Sequence, residues 1–241
     1  MATMTSEPSG SSIEQIAVLE DQLRRRIYRY LRRAGSPATR EQVAEETGIS
    51  RRLAAFHLEK LLEEGFLRSH YARPPGRGGP GAGRSAKYYE PSDIELSVSI
   101  PDRQYDLAGS LLVDAITNAK PEESAQDAAM RVSAEKGRAI GEHSRRERGL
   151  SRPGPERTLS VAQEMLEGYG YEPYRDEKRK IALRNCPFHT LAQQSPDLVC
   201  SMNQAFLDGI LRGLGNESVE AVLECKQGDC CVTLRAPERT R

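Results

Sequence analysis

The chain has 241 residues, enough for two domains of ordinary size, and its 35 basic and 35 acidic side chains give a formal net charge of zero. Only 37% of the residues are apolar and Trp is absent, so the cores are expected to be small and rich in Leu and Ala. No apolar run approaches the roughly 20 residues of a membrane helix, and residues 1–12 carry no hydrophobic leader. A cytoplasmic protein without a membrane partner is the expectation.

Overall neutrality conceals an uneven distribution. Arginines crowd at Arg24, Arg25, Arg26, Arg29, Arg32 and Arg33, and basic residues recur at Arg51, Arg52, Arg73, Arg77, Arg84 and Lys87. Basic faces on a balanced protein suit a polyanionic partner, although the first group equally suits a solvated helix face.

Residues 1–12 read as a disordered tail of Ser and Gly. From residue 13 to 33, Ile16, Leu19, Leu23, Ile27, Tyr30 and Leu31 recur at helical spacing, and Gly35 and Pro37 end the pattern. Two short helical patterns follow, each opened by a hydroxyl residue suited to N-capping: Thr39 before Val43 and Ala44, and Ser50 before Ala54, Leu58, Leu61 and Leu62. Gly48 supplies the turn between them and Ile49 fills the angle, which together spell a helix-turn-helix. The second helix then presents Ser50, Arg51, Arg52, Ala55 and Phe56 outward near its start, where side chains reach base edges in a major groove. His57 is expected to make a hydrogen bond in the core, with contact to DNA as the alternative. The segments 68–71 and 85–89 read as strands around a loop rich in Gly, Pro and Arg, a wing whose Arg73, Arg77, Arg84 and Lys87 suit phosphates.

The motifs Gly48-Ile-Ser-Arg, Phe56-His-Leu-Glu-Lys-Leu, Gly65-Phe-Leu and Gly83-Arg-Ser-Ala-Lys-Tyr-Tyr89 resemble the ArsR-type winged-helix transcriptional regulators. The resemblance covers residues 13–92 and implies a homodimer on double-stranded DNA, with one recognition helix per operator half-site.

Residues 93–150 read as a linker and helical dimerisation region. Its Ala-lined helices permit close backbone approach, either between two copies or within one chain. Residues 151–236 read as an α+β module: a helix from 156 to 167, strands at 169–174 and 180–184, helices at 187–194 and 196–214, and strands at 219–225 and 231–235. The fold class is therefore α+β and mostly helical, with an N-terminal winged helix-turn-helix, central dimerisation helices and a small C-terminal antiparallel sheet.

All five cysteines follow residue 185. Cys186 before Pro187 and Cys200 after Pro196 are expected near helix starts, which favour thiolate, while Cys225, Cys230 and Cys231 flank a hairpin turn. Such sulfurs suit an iron–sulfur cluster, zinc as second choice, redox-active thiols or inert packing. The segments Asn185-Cys-Pro-Phe-His, Leu198-Val-Cys-Ser and Cys225-Lys-Gln-Gly-Asp-Cys-Cys are similar to the sensor half of the iron–sulfur repressors of suf operons. That likeness implies Cys186 and Cys200 as ligands, with a third from Cys225 or Cys230. An organic effector site with structural cysteines is the alternative. A Cys186–His189 thiol enzyme is a further reading, without a third group to orient the pair, so no enzymatic activity is expected.

Overall fold

The computed structural model describes residues 9–73, 85–177, 179–225 and 228–237. The chain forms two compact units, Met1–Val98 and Ser99–Arg241.

The N-terminal unit begins with α1 (Ser9–Ala17), a single 3-10 turn and α2 (Gln22–Ala34). Residues 9–12, expected in a disordered tail, thus belong to α1. The expected helix over 13–33 is broken at Asp21, whose carboxylate accepts hydrogen bonds from the backbone N–H groups of Leu23 and Arg24, both at 2.9 Å. An N-cap with extended backbone starts a new helix there and ends the one before. Gly35 closes α2 in the left-handed region at φ 63°.

β1 (Ala38–Thr39), α3 (Arg40–Thr47) and α4 (Arg51–Glu63) follow. A reciprocal cap opens α3: the Thr39 hydroxyl accepts from the Gln42 N–H at 3.3 Å, and the Gln42 side chain accepts from the Thr39 N–H at 2.8 Å. Gly48 turns the chain at φ 65°, and the Ser50 hydroxyl accepts from the Leu53 N–H at 3.2 Å to open α4. β2 (Leu67–Ala72) and β3 (Ala86–Pro91) pair antiparallel from Leu67↔Pro91 to Ala72↔Ala86, and β1 adds to the far side of β3. Ile27, Leu31, Val43, Ala54, Leu58, Leu61, Phe66, Leu67 and Tyr89 form one core beneath these elements. The result is a winged helix-turn-helix.

The C-terminal unit contains α5 (Tyr105–Thr117), α6 (Ala125–Glu147), α7 (Pro155–Glu167), β4 (Pro173–Glu177), β5 (Lys180–Leu183), α8 (His189–Gln194), α9 (Pro196–Gly213), β6 (Glu220–Leu223) and β7 (Val232–Arg235). Its sheet is antiparallel with strand order β4-β5-β7-β6. Its core unites Leu159, Leu166, Ile181, Phe206, Ile210, Leu211 and Leu234 from α7, the sheet and α9.

Small residues on α6 serve packing within the chain. A Cβ on Gly141 would lie 2.2 Å from the Ile210 carbonyl oxygen, and one on Gly213 would lie 2.3 Å from the Arg138 carbonyl oxygen. Backbone therefore packs on backbone between α6 and α9. Two expected boundaries also move. The strand anticipated at 169–174 starts at Pro173, because Gly170 at φ 75° turns the chain first. The helix anticipated from Pro187 starts at His189, after a turn at Pro187 and Phe188.

Candidate nucleic-acid interface and cysteine centre

The outward face of α4 carries Arg51, Arg52 and Phe56, all exposed, with Ala55 half-buried at its edge. Phe56 is 56% exposed and Leu53 40%, and these two apolar side chains stand one turn apart on the same face. Leu53 was available to sequence reasoning, since it lies three residues before Phe56 and outside the buried set of Ala54, Leu58 and Leu61. Ser50 is exposed as well, and its hydroxyl caps α4. His57 is buried at 5% exposure, yet its Nδ1 has no hydrogen-bond partner, so the core position expected for it lacks the expected bond at that atom. Burial lowers its pKa, opposed by the nearby Asp21 carboxylate.

On the wing, Arg73 is exposed beyond the end of β2, whereas Arg77 and Arg84 lie outside the described residues. Lys87 differs from the sequence expectation. Its ammonium donates to both carboxylate oxygens of Glu59, at 2.7 and 3.0 Å, and the Tyr89 hydroxyl donates to the same carboxylate at 2.7 Å. This network ties β3 to α4, so Lys87 reaches a phosphate only by leaving Glu59. Burial and the Glu59 carboxylate together hold the Tyr89 phenol protonated.

In the C-terminal unit the five sulfurs are linked. Cys186 lies in the turn before α8, and Cys200 in the second turn of α9 rather than at its start. Cys225 follows β6, and Cys230 and Cys231 precede β7. The neighbouring Cys230 thiol is the largest influence on Cys186, whose pKa falls to about 7. Burial opposes that shift, while the Phe188 N–H and the Arg103 guanidinium add to it. Phe188 is the N-cap of α8, so a donor of the helix start expected from sequence acts on the thiolate, second to Cys230 among the lowering influences. Cys231 lies beside both Cys225 and Cys200, and the three thiols influence one another's ionisation. Burial is the largest influence raising Cys200 and Cys231, whereas the Cys231 side chain is the largest on Cys225. The charge on Cys186 also raises both Cys200 and Cys231, which joins the two groups into one centre.

Neighbouring polar groups hold the Cys186–Cys230 pair. The Asn203 amide donates to Cys230 Sγ at 3.3 Å, and the buried Tyr171 hydroxyl donates to the Asn203 carbonyl oxygen. Arg103 Nη1 donates to the Cys186 carbonyl at 3.2 Å and to the Asn185 side chain. Asn185 in turn donates to the Asp102 and Gly170 carbonyls at 2.9 and 2.6 Å. Sequence reasoning ranked Cys231 just behind Cys225 and Cys230, and it passed over Asn203, Tyr171 and Arg103, which acquire their roles only through tertiary structure. His189 is exposed on the first residue of α8.

Among the described residues no three His, Cys, Asp or Glu side chains stand in the arrangement of a metal site. The five sulfurs therefore do not surround one point. As a donor set they are soft and thiol-rich, which suits iron–sulfur or zinc chemistry.

No helix among the described residues is long and apolar enough to cross a membrane. Comparison with curated proteins found no match. Residues 19–70, which run from before α2 through α3 and α4 into β2, match the family model of a helix-turn-helix domain, the element class that places one helix on DNA.

Proposed function

We propose that this protein is a homodimeric DNA-binding transcriptional regulator whose DNA affinity answers to the state of its cysteine centre. The capped α3–Gly48–α4 element, with Arg51 and Arg52 exposed at the start of α4, carries the DNA-binding part of the reading. Two such helices on a dimer read two half-sites about 34 Å apart. The dimer draws support from α5, which leaves Val113 59% and Ile116 76% exposed.

For the cysteine centre the reading is an iron–sulfur cluster held by Cys186 and Cys200 with Cys225 and Cys230, and zinc as the second choice. The soft donor set and the lowered pKa of Cys186 support it, since thiolates are the ligating form. A cluster would supply a reversible one-electron couple. Gathering the ligands requires the hairpin that carries Cys225 and Cys230 to shift relative to α9, and that shift is the conformational variable that DNA affinity follows.

Selection from random duplexes tests the DNA-binding part. Wild type is expected to enrich a two-fold symmetric site, and Arg51→Ala/Arg52→Ala to relax it by about 1–3 kcal/mol for each base that the missing guanidinium groups would have bonded. An unchanged preference in the double variant removes α4 as the reading element.

A further inference from the structure

Arg25, Arg26, Arg29 and Arg33 line one wall of a cleft of about 730 Å³ in the N-terminal unit, and Glu46 and Thr47 at the end of α3 line the other. The outward face of α4 makes no use of these arginines. We infer that the cleft is a second DNA surface, in which Arg25, Arg29 and Arg33 take backbone phosphates of the same duplex that α4 reads; this rests on the DNA-binding function proposed above.

Three observations carry the inference. The first is the spacing. Arg25, Arg29 and Arg33 recur every four residues, which sets their side chains about 6 Å apart along one face of α2 and makes a row about 12 Å long. A linear row of positive charge matches a strand of phosphates better than it matches a single compact anion.

The second is that this charge is unspent. Among the described residues none of these three arginines makes an ion pair, and Glu46 is the only carboxylate in the cleft lining among those residues. Their neighbours differ. Arg26 donates to the Thr47 carbonyl oxygen, satisfying the last turn of α3 and fixing the cleft wall, and Arg24 Nε donates to the Val18 carbonyl at 2.7 Å. A row of free guanidinium groups beside two arginines engaged with backbone is a divided use of one basic run.

The third is position. Thr47 is followed by Gly48 and Ile49, and then by Ser50, the N-cap of α4. The cleft therefore opens beside the end of the recognition helix that enters the groove, where the flanking phosphates lie.

Salt dependence of binding to a random 40-base-pair duplex tests the inference, since non-specific binding is governed by phosphate neutralisation. Each neutralised phosphate contributes about 0.9 to the slope of log affinity against log salt, so three phosphates contribute about 2.7 per protomer. Between 50 and 200 mM salt, wild type is expected to lose roughly fortyfold more affinity per protomer than Arg25→Gln/Arg29→Gln/Arg33→Gln. Arg146→Gln/Arg152→Gln/Arg157→Gln removes the same charge from the C-terminal unit and is expected to keep the wild-type slope. If the triple variant has a lowered Tm, Arg29→Gln alone is read instead, with an expected slope change of about 0.9.

A wild-type slope in the α2 variants overturns the inference and leaves α4 as a DNA reader. A slope change equal to that of the control variant also overturns it, because removal of any charge then acts alike. Inorganic tripolyphosphate that raises the Tm of wild type alone, without displacing DNA, assigns the cleft to a small anion and overturns it too. Failure of wild type to bind any duplex refutes the proposed function itself.

Discussion

Selective reactivity of Cys186 follows from the geometry around its sulfur. With a pKa of about 7 this thiol is about half ionised at neutral pH. A free cysteine near 8.5 is about 3% ionised there, so ionisation alone favours Cys186 by roughly fifteenfold. A less basic thiolate is a weaker nucleophile: with a Brønsted slope of about 0.45, a drop of about 1.5 units costs roughly fivefold. The net expectation is an intrinsic advantage of about threefold at pH 7, before the half-buried position of the sulfur slows the reagent. The midpoint of the pH profile is insensitive to that last factor and is the better observable. The thiolate is present above pH 7 and is lost as pH falls through 7. Alkylation by iodoacetamide, followed residue by residue with mass spectrometry between pH 5.5 and 9.5, is therefore expected to show Cys186 with a midpoint near 7. Cys200, Cys225 and Cys231 are expected above the ordinary thiol value. Cys230→Ala should raise the Cys186 midpoint more than Arg103→Gln does, because the Cys230 thiol is the largest influence lowering it. A wild-type midpoint at or above 8.5 refutes this account of the site.

Other consequences are as direct. Gly141→Ala would gain about 1 kcal/mol of helix propensity at an open site, but its Cβ meets the Ile210 carbonyl oxygen at 2.2 Å, so a net loss of about 1–3 kcal/mol is expected in urea unfolding. A stabilised Gly141→Ala protein would show that α6 and α9 do not pack backbone to backbone. His57 has its pKa lowered in the folded chain, by burial first and then by Arg24, against the pull of Asp21. The unfolded chain therefore takes up the proton first as pH falls through about 6.5, and stability drops below that value. The difference in Tm between pH 7.5 and 5.5 should shrink in His57→Leu, and an unchanged difference would assign the acid sensitivity elsewhere. Glu59→Gln is expected to free Lys87 and remove a carboxylate from beside α4, strengthening non-specific DNA binding measured by anisotropy; weaker binding would mean that the Glu59–Lys87–Tyr89 network shapes the reading face more than it withholds charge.

The parts of the fold legible in sequence are those specified by neighbouring residues. Thr39 with Gln42, Gly48 and Ser50 each act within four residues, so the helix-turn-helix could be placed before any tertiary structure was known. Asp21 also acts locally, yet the apolar spacing of Ile16, Leu19 and Leu23 runs in phase across it and conceals the break. Small residues on α6 reveal a close approach but not the partner, and only packing assigns that partner to α9. The cysteines show the same limit. Their clustering in sequence pointed to a common centre, whereas the division into Cys186–Cys230 and Cys225–Cys231–Cys200 depends on how β6 and β7 meet α9. Lys87 looked available because a sequence does not show that Glu59, 28 residues earlier, faces it.

Coupling between the cysteine centre and DNA is the claim on which the account turns, and affinity for the selected duplex tests it most directly. Protein purified without oxygen and assayed for iron and acid-labile sulfide is compared at fixed salt with a Cys186→Ser/Cys200→Ser variant that shares its Tm. The account predicts iron and sulfide in wild type alone, and affinities that differ by about 5–150-fold, the usual range of coupling between two sites. Equal affinities in two folded proteins, whatever their metal content, would contradict it.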